Sequence, residues 1–358
     1  MSKNTTSLLV SCGSLTAGGA ERVLSILSDP FVEHYNSVTY LMWDNLPVFY
    51  TINKNIKLIS VEAECRSSSL IKKMMWFRRY VLNNRPDVVL SFSTPYNMLT
   101  LFALLMTKAK VVAAERIDPR AFRWGKPLEI LRDFLYHTAT GILAQTEYSR
   151  SYYKGKLLEK TSIIYNPVTM PSSLVGMALN TPKEKVIVSA VRLKKQKNLP
   201  LLIEAFTRFS KLHPDYRLII YGEGSEREYL ENFAQKMGVA DKVSMPGSVK
   251  DLWQRISSAK MFVMTSLFEG MSNSLIEAMC LGLPCISTKV SGATDLIKSG
   301  ENGFLIDGLD DLCEKMEALC DDNFAARIGE NASNLYEELK VENISRQWID
   351  YIDKIAKR

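Results

Sequence analysis

Two glutamates, Glu269 and Glu277, are separated by seven residues in a segment whose residue types favour sugar and phosphate chemistry. The segment follows a strand-like apolar run and passes through a glycine loop into a helical pattern. The unpaired N–H groups at the start of such a helix favour a phosphate, which we place at Gly270, Met271, Ser272 and Asn273. Glu269 helps neither the strand nor the helix. Glu277 has a second interpretation, as the partner of Ser274 in a capping box.

A cluster of cations follows another strand-like run, Val186–Ala190. Four of the six residues from Arg192 to Lys197 are basic. Phosphates bind beyond the carboxyl ends of parallel strands, and an arginine fork with a lysine point charge suits a diphosphate. The sequence therefore predicts that Arg192 and Lys197 bind a diphosphate, and a solvated basic loop is the alternative.

A glycine turn from Gly13 to Arg22 follows the first strand-like run and leads into a helical pattern. Gly18 and Gly19 would let backbone N–H groups approach an anion. The spacing does not match the dinucleotide fingerprint G-x-G-x-x-G, and the Gly222-Glu223-Gly224 fragment matches it only in part. A tight turn that binds no ligand remains the alternative interpretation.

Short β-branched runs alternate with amphipathic stretches along almost the whole chain, which is typical of βαβ units. The predicted strands are Leu8–Ser11, Val38–Trp43, Lys57–Val61, Asp87–Phe92, Val111–Ala114, Gly141–Gln145, Ser162–Tyr165, Val186–Ala190, Arg217–Tyr221, Val243–Met245, Met261–Thr265, Cys285–Ser287 and Gly303–Ile306. The pattern predicts an α/β protein with two Rossmann-like domains, 1–168 and 185–341, joined by a proline-containing linker, 169–184. A final helix is predicted over 342–358.

The composition of the chain limits the cellular compartment in which the protein can act and the molecules that it can bind. No run approaches the roughly 20 apolar residues that a membrane span needs, and the first residues do not form a signal peptide, so we expect a cytoplasmic protein. The six cysteines form no C-x-x-C pair and are interpreted as reduced core residues, with no zinc site.

Residues 1–170 carry 21 Lys+Arg against 13 Asp+Glu, whereas residues 171–358 carry 24 against 26. The basic first half indicates an anionic partner.

A helical pattern at residues 70–81 carries part of this basic charge. On a helical wheel, one stripe combines Leu70, Met74, Phe77 and Val81, and the other face combines Lys72, Lys73, Trp76, Arg79 and Tyr80. Cations with interleaved aromatics suit a helix at an anionic membrane surface. We expect this face to dock on the inner leaflet of the cytoplasmic membrane and to meet the diphosphate of a polyprenyl-linked acceptor. A solvated charged face is the alternative, and nothing else resembles a nucleic-acid module.

Taken together, the segments GGAER, RLKKQKN, EGMSNSLIE and AMCLGLPCIST resemble the retaining GT-B glycosyltransferases of the glycosyltransferase 4 family. The resemblance implies two Rossmann-like domains facing a central cleft, with the C-terminal helix crossing back to the first domain. It also implies that Arg192 and Lys197 neutralise the diphosphate of a nucleotide-sugar, that Glu277 holds the ribose and that Glu269 contacts the donor sugar. Gly18 and Gly19 would let the first domain close over the phosphates.

The chain departs from this family where many members have a histidine near the donor sugar. It reads Glu115-Arg116-Ile117-Asp118 there, which resembles some bacterial polysaccharide and glycolipid members. Arg116 is therefore a candidate catalytic residue of undefined role. Glu115 and Asp118 could contact the acceptor or form salt bridges with neighbouring arginines.

The sequence favours a retaining glycosyltransferase that moves a hexose or N-acetylhexosamine, more readily from UDP than from GDP, to a polyprenyl-diphosphate-linked saccharide. Because no Asp-x-Asp occurs anywhere, we expect a metal-independent enzyme without a cofactor. The resemblance implies same-face attack in which the leaving phosphate helps to deprotonate the acceptor hydroxyl. The alternatives are an NAD-dependent oxidoreductase, whose glycine fingerprint is missing, and an inactive protein that binds sugar nucleotides or membranes.

Overall fold

The structure, a computed structural model, describes residues 4–16, 18–121, 125–249 and 251–358. It divides into two compact units: unit 1 consists of Met1–Pro167 with Val341–Arg358, and unit 2 consists of Val168–Lys340. Each unit contains a parallel sheet with helices, which confirms the predicted α/β class and the two Rossmann-like domains. Ala17 of the predicted glycine turn lies outside the described residues.

The strands of unit 1 follow the spatial order β3-β2-β1-β4-β5-β6-β7 and those of unit 2 the order β10-β9-β8-β11-β12-β13. Their bounds are β1 Asn4–Cys12, β2 Tyr35–Met42, β3 Lys57–Ser60, β4 Val88–Phe92, β5 Val111–Ala114, β6 Gly141–Ala144, β7 Thr161–Ile163, β8 Val186–Ala190, β9 Arg217–Tyr221, β10 Val243–Gly247, β11 Met261–Met264, β12 Cys285–Thr288 and β13 Phe304–Ile306. Each predicted strand overlaps one of these.

The helices are α1 Gly19–His34, α2 Val61–Cys65, α3 Leu70–Asn84, α4 Thr94–Ala103, α5 Lys126–Thr138, α6 Glu147–Arg150, α7 Lys156–Glu159, α8 Met177–Asn180, α9 Leu199–Leu212, α10 Arg227–Lys236, α11 Leu252–Ile256, α12 Asn273–Cys280, α13 Ala293–Leu296, α14 Leu309–Ala318, α15 Asp322–Ser333, α16 Leu335–Leu339 and α17 Val341–Ala356. Short 3₁₀ helices span Pro119–Ala121, Ser172–Leu174 and Lys195–Lys197. Among the described residues, no helix combines the length and apolarity needed to cross a membrane.

The central strands are recognisable from sequence because both of their faces are covered. Every residue of β4, β5, β8 and β11 is buried, so these strands are continuous apolar runs instead of alternating ones. Burial of large apolar side chains against the flanking helices stabilises each unit by roughly 1.5–3 kcal/mol per side chain. In unit 1, for example, the Trp43 ring stacks on Phe77 of α3 at 4.9 Å.

The C-terminal helix α17 belongs to unit 1, as predicted. Its apolar stripe is buried, and the Trp348 ring stacks at 5.7 Å on Phe92 at the end of β4. At the other end of the helix, Lys110 Nζ donates a hydrogen bond to the carbonyl of Ala356 at 2.5 Å. The chain therefore leaves unit 2 and completes the core of unit 1.

The segment 169–184, predicted as a linker, is instead part of unit 2. It contains α8, and the backbone N–H groups of Gly176 and Ala178 donate to the carbonyls of Cys280 and Leu281 at 3.0 and 2.8 Å. Small residues that indicated a linker here, Gly176 and Ala178, instead lie against the end of α12.

Candidate functional site

The carboxyl ends of β8 and β11 mark the point where the strand order of unit 2 reverses. From there the sheet continues through β9 and β10 to one side and through β12 and β13 to the other. Ligands bind at such a point in open parallel sheets because the neighbouring loops diverge to opposite faces. The cationic loop follows β8 and the segment with the two glutamates follows β11, so the fold places both predicted motifs here.

Lys197 and Glu269 form an ion pair between these two loops. Their side chains are only 11% and 10% exposed, and the Glu269 carboxylate also accepts a hydrogen bond from Ser266 Oγ at 2.6 Å. Removing one partner of such a pair would leave an uncompensated charge in a desolvated place. The sequence predicted both residues as ligand contacts but did not predict that they contact each other.

Hydrogen bonds from backbone and side-chain donors fix the two loops side by side. Leu267 N donates to Gln196 O at 2.8 Å, and the Gln196 amide donates in return to Phe268 O at 2.7 Å. Thr265 Oγ1 donates to Lys197 O at 3.0 Å. The sequence analysis did not identify Gln196 and Thr265 as residues that position these loops. The polar pair Thr265-Ser266, directly after the buried strand β11, was a signal that could have been used. The lysine therefore sits on a preorganised loop.

Arg192 lies at the carboxyl end of β8 with an exposed side chain. The next residue, Leu193, donates its N–H to Glu223 O at 2.9 Å. A Cβ at Gly224 would lie 2.1 Å from Leu193 O, so only glycine allows this approach. The partial dinucleotide fingerprint Gly222-Glu223-Gly224 thus has a structural explanation: its backbone packs against the cationic loop at Leu193.

The helix that carries Glu277 begins at Asn273, and Ser272 is its N-cap. Ser272 Oγ accepts a hydrogen bond from Leu275 N at 3.4 Å. Ser274 therefore lies inside the helix, and the capping-box interpretation of Glu277 is wrong. Glu277 is only 4% exposed, in the second turn of this helix.

Gly292, which the sequence analysis did not single out, shapes the loop at Gly270 and Met271, where the sequence predicts a phosphate. It follows β12 and has φ of +83°. A Cβ at this position would lie 2.5 Å from Gly270 O and 2.9 Å from Met271 Cα. The loop can keep its position only because residue 292 has no side chain. The available signal was a glycine in the short segment that follows the predicted strand Cys285–Ser287.

In unit 1, Gly18 is the N-cap of α1 and Gly19 is its first residue. Gly18 has an extended backbone, so its φ does not require glycine. A Cβ there would instead lie 2.0 Å from Glu21 Oε2, which folds back over the start of the helix. The contact thus concerns the Glu21 side chain, which could rotate away.

Glu115 is a core residue, and its predicted contact with an acceptor is wrong. It is 1% exposed, and its carboxylate accepts hydrogen bonds from Thr94 Oγ1 at 2.5 Å, Tyr153 Oη at 3.2 Å and the Tyr136 hydroxyl. Burial raises its pKa, and the hydroxyl donors oppose that shift. Three internal donors satisfy the carboxylate, so it faces the core of the unit.

Asp118 pairs with a neighbouring arginine, which was the second of its two interpretations. Its Oδ1 accepts from the Arg120 backbone N–H at 3.1 Å and from Arg120 Nη1 at 3.3 Å. Burial raises the pKa of this carboxyl, against the opposing effect of Arg120. The residue holds the turn that begins at Pro119, so the acceptor interpretation is not supported.

Helix α3 presents a different outer face from the one predicted. Lys73 is buried in ion pairs with Glu62 at 2.8 Å and Asp44 at 3.6 Å. Burial alone would lower its pKa, but the two carboxylates raise it overall. Lys73 is therefore wrong as a membrane contact, whereas Lys72 and Arg79 are exposed as predicted.

The aromatic pair of α3 is only half-exposed. The Trp76 and Tyr80 rings stack on each other at 5.2 Å, and both pack against the core of unit 1. Leu70, predicted on the inward stripe, is exposed. The predicted division of α3 into an inner and an outer face was wrong at Leu70 and Lys73. Lys73 points inward, a position that a cation rarely occupies without buried partners.

Arg116 follows β5 and Glu115, with its guanidinium Cζ 4.6 Å from the centre of the Phe92 ring. Its Nη2 donates to Asn166 Oδ1 at 2.6 Å. The Gln145 amide, in the orientation that satisfies both of its ends, accepts from Nη2 at 2.9 Å and donates to Arg116 O at 2.9 Å. Burial lowers the pKa of the guanidinium. The structure therefore fixes the arginine through its backbone and through one nitrogen.

Residues 178–335, which span most of unit 2, match the model of the family described as glycosyl transferases group 1. Among curated proteins, the chain is 25% identical over 354 residues to the GalNAc-alpha-(1->4)-GalNAc-alpha-(1->3)-diNAcBac-PP-undecaprenol alpha-1,4-N-acetyl-D-galactosaminyltransferase of Campylobacter jejuni, covering 96% of this chain and 97% of that protein. It is 24% identical over 308 residues to the amylovoran biosynthesis glycosyltransferase AmsD of Erwinia amylovora, covering 84% and 85%.

Solved structures share the fold over nearly the whole length. The crystal structure of Anabaena HepE in complex with UDP and glucose has a TM-score of 0.77 at 19% identity, covering 97% of this chain and 99% of that one. The apo form of the lipopolysaccharide outer core galactosyltransferase WaaB also has a TM-score of 0.77, at 20% identity, covering 97% and 99%. These likenesses concern the fold.

Proposed function

We propose that this chain is a GT-B glycosyltransferase similar to the glycosyltransferase 4 family and that it transfers a hexose or N-acetylhexosamine from a UDP-sugar to a polyprenyl-diphosphate-linked saccharide in bacterial surface glycan assembly. The observation that carries the proposal is the Lys197–Glu269 pair at the strand-order reversal of unit 2, beside the amino end of α12. An activated sugar joins a diphosphate to a sugar ring with hydroxyl groups. The lysine of this pair suits the diphosphate, and the carboxylate suits the hydroxyl groups.

The chemistry follows from the charges at this point. Breaking a sugar–phosphate bond builds negative charge on the departing diphosphate, and cations already fixed in place stabilise it without reorganisation. Lys197 is held in place by Glu269, the exposed Arg192 adds a second cation, and the N–H groups at the start of α12 add their dipoles. Glu269 then has a double role, since it orients the lysine and lies at the sugar end of the same site.

The substrates are proposed from the relatives. The Campylobacter protein is named for transfer to an undecaprenyl-diphosphate-linked saccharide, and Anabaena HepE binds UDP and UDP-glucose. We extend both properties to this chain. Independence of a divalent metal belongs to the proposal as well, because Lys197, Arg192 and the helix N-terminus can together neutralise the leaving diphosphate. Retention of anomeric configuration is proposed from the resemblance to the retaining glycosyltransferase 4 family.

The test is a nucleoside diphosphate release assay with a panel of UDP- and GDP-sugars, with and without a lipid-linked acceptor. We expect UDP release from one UDP-sugar that depends on the acceptor and persists in EDTA, together with an α-linked product from an α-linked donor. Hydride transfer to NAD with no sugar transfer would overturn the proposal. Tight binding of UDP-sugars with no release under any condition would instead favour an inactive binding protein.

We further propose that unit 1 docks peripherally on an anionic membrane through the outer surface of α3, α4 and α5, which pack against one another in sequence. This outer surface exposes large apolar side chains: Ile71, Met75, Leu82, Phe102, Ile130 and Phe134. Apolar side chains that recur on three neighbouring helices are unusual on a water-facing surface and are typical of an interaction site.

The charge of this surface favours anionic lipid as its binding partner. Lys72 and Arg79 on α3, Lys108 after α4 and Lys126 at the start of α5 are exposed beside these apolar side chains. A surface that combines both is typical of interfacial membrane binding, in which the apolar groups enter the headgroup boundary and the cations meet anionic lipid. The basic face predicted from sequence is thus only part of the proposed surface.

Replacing both Ile130 and Phe134 by Glu should weaken binding to anionic liposomes at least tenfold in a flotation assay. These side chains are 70% and 60% exposed, so the folded core should tolerate the change. The matched control is Leu212→Glu, because Leu212 is 75% exposed but lies in unit 2. Equal flotation of the double variant and the wild type would contradict the membrane role.

A further inference from the structure

Arg116 differs from other arginines of unit 1 in what surrounds its guanidinium. Arg132 is fully buried and satisfied, with Nε on Asp133 at 2.9 Å, Nη1 on Pro119 O at 3.0 Å and Nη2 on the Tyr152 hydroxyl. Arg78 donates to two carbonyls at the carboxyl end of α4, at 2.8 Å each. Both arginines have an evident structural role.

The Arg116 guanidinium is held on one side and unsatisfied on the other. Phe92, Asn166 and Gln145 fix its plane, as described above. Its Nε is buried and has no hydrogen-bond partner among the described residues. Within the same part of the chain no carboxylate forms an ion pair with it; Glu21 acts on it only through the longer-range field. An unpaired buried donor costs about 1–3 kcal/mol, and a charged one costs more.

A guanidinium of this kind is suited to an oxyanion. Its planar array of donors matches the oxygens of phosphates, and its position is already fixed before the ligand arrives. Arg116 is partly exposed and follows the inner strand β5 of the sheet, at the edge where ligands bind in parallel α/β folds. The buried Glu115 carboxylate, which accepts hydrogen bonds from Thr94 and Tyr153, lies immediately before it and anchors the start of this loop.

We propose that Arg116 binds a diphosphate oxygen of the lipid-linked acceptor. This inference rests on the proposed function, in which unit 2 supplies Arg192 and Lys197 to the diphosphate of the donor. The donor diphosphate already has those two cations, so we assign the fixed guanidinium of Arg116 to the second diphosphate of the reaction, which Lys72 and Arg79 of α3 meet only from flexible, exposed side chains. Arg116 thereby acquires a role in recognising the acceptor, in place of the undefined catalytic role that the sequence predicted.

The test measures binding directly and needs no turnover. The full chain, saturated with UDP so that the donor site is filled, is titrated with a short prenyl diphosphate, the matching monophosphate and the neutral alcohol. The wild type should bind the diphosphate more tightly than the alcohol, and Arg116→Gln should weaken diphosphate binding at least tenfold without changing the affinity for UDP. Arg116→Lys should restore part of the loss, and Arg346→Gln, at an exposed arginine of α17, is the control.

The outcomes distinguish a failure of the acceptor role of Arg116 from a failure of the proposed function. Unchanged diphosphate binding in Arg116→Gln, or an equal loss for the neutral alcohol, overturns the acceptor assignment. A loss of UDP affinity in the same variant also overturns it, because the oxyanion would then belong to the donor. If the wild type binds the prenyl diphosphate through Arg116 but transfers no sugar, the inference stands while the proposed function fails. Thermal unfolding of each variant excludes a folding defect.

Discussion

Replacing Glu269 by Gln is expected to lower kcat about 100-fold, which corresponds to about 2.7 kcal/mol of transition-state stabilisation. The substitution keeps the volume of the side chain and its acceptor for Ser266 Oγ, but it removes the negative charge that holds Lys197. Hydrogen bonds to charged groups contribute about 1.5–3 kcal/mol each. Because this carboxylate orients a cation of the site and lies at the proposed sugar end, the rate should fall more than the donor KM rises.

The same unit offers a matched control in the Lys260–Asp322 pair. Lys260 directly precedes β11, whereas Glu269 follows the same strand, so the two ion pairs lie at opposite ends of one strand. Lys260 is also buried, but its partner Asp322 is 87% exposed, so Asp322→Asn should destabilise the fold less than Glu269→Gln and leave kcat within about twofold of the wild type. If both variants lose the same activity, the effect of Glu269→Gln is a stability effect and Glu269 has no special role.

The second large effect is expected from Gly292→Ala. The new methyl group would lie 2.5 Å from Gly270 O and 2.9 Å from Met271 Cα, both of them backbone atoms that cannot move alone. The φ of +83° adds strain of about 1–2 kcal/mol for an alanine. The loop before α12 must shift, so the affinity for UDP should fall at least tenfold and the free energy of unfolding should drop by about 2–4 kcal/mol.

Gly300→Ala separates the two causes of this effect. Gly300 has φ of +85°, and nothing among the described residues lies within 4 Å of the position that a Cβ would take, so an alanine there meets the backbone strain without the clash. We expect Gly300→Ala to lose about 1–2 kcal/mol of stability and to bind UDP like the wild type. Isothermal titration with UDP and chemical denaturation of both variants would measure this. Equal UDP affinity for Gly292→Ala and Gly300→Ala would show that the Gly270 loop does not contact the nucleotide.

The sequence was a good guide to the helices and strands and to the position of the two charged motifs in unit 2. Strands such as β8 and β11 are apolar throughout because they are covered on both faces, and this pattern is local. The motifs after them, with Lys197 and Glu269, could be placed near each other because carboxyl ends of neighbouring parallel strands meet at one edge. Strand order and direct contacts, however, required the folded chain.

The wrong predictions from sequence have a common cause: the sequence does not show which residues become buried or which groups they contact. Lys73 and Glu115 are charged, so their residue types predicted exposure, but each is buried among partners that lie far away in sequence or on other elements. Gly292 has no side chain that would signal its importance, and only the proximity of Gly270 makes its missing Cβ necessary. No pattern within a single helix or strand contains this information.

The sequence by itself determined the α/β class, the parallel strands, the C-terminal helix and the cationic and acidic motifs, because these follow from the periodicity and chemistry of neighbouring residues. The return of that helix to unit 1 was implied by the family resemblance. The tertiary structure alone decided which charges are paired and which are available. It satisfied Lys73, Glu115 and Asp118 inside unit 1, joined Lys197 to Glu269, and left Arg116 Nε without a partner among the described residues. The reason is that the cost of burying a charge depends on groups brought close by folding, not on its neighbours along the chain.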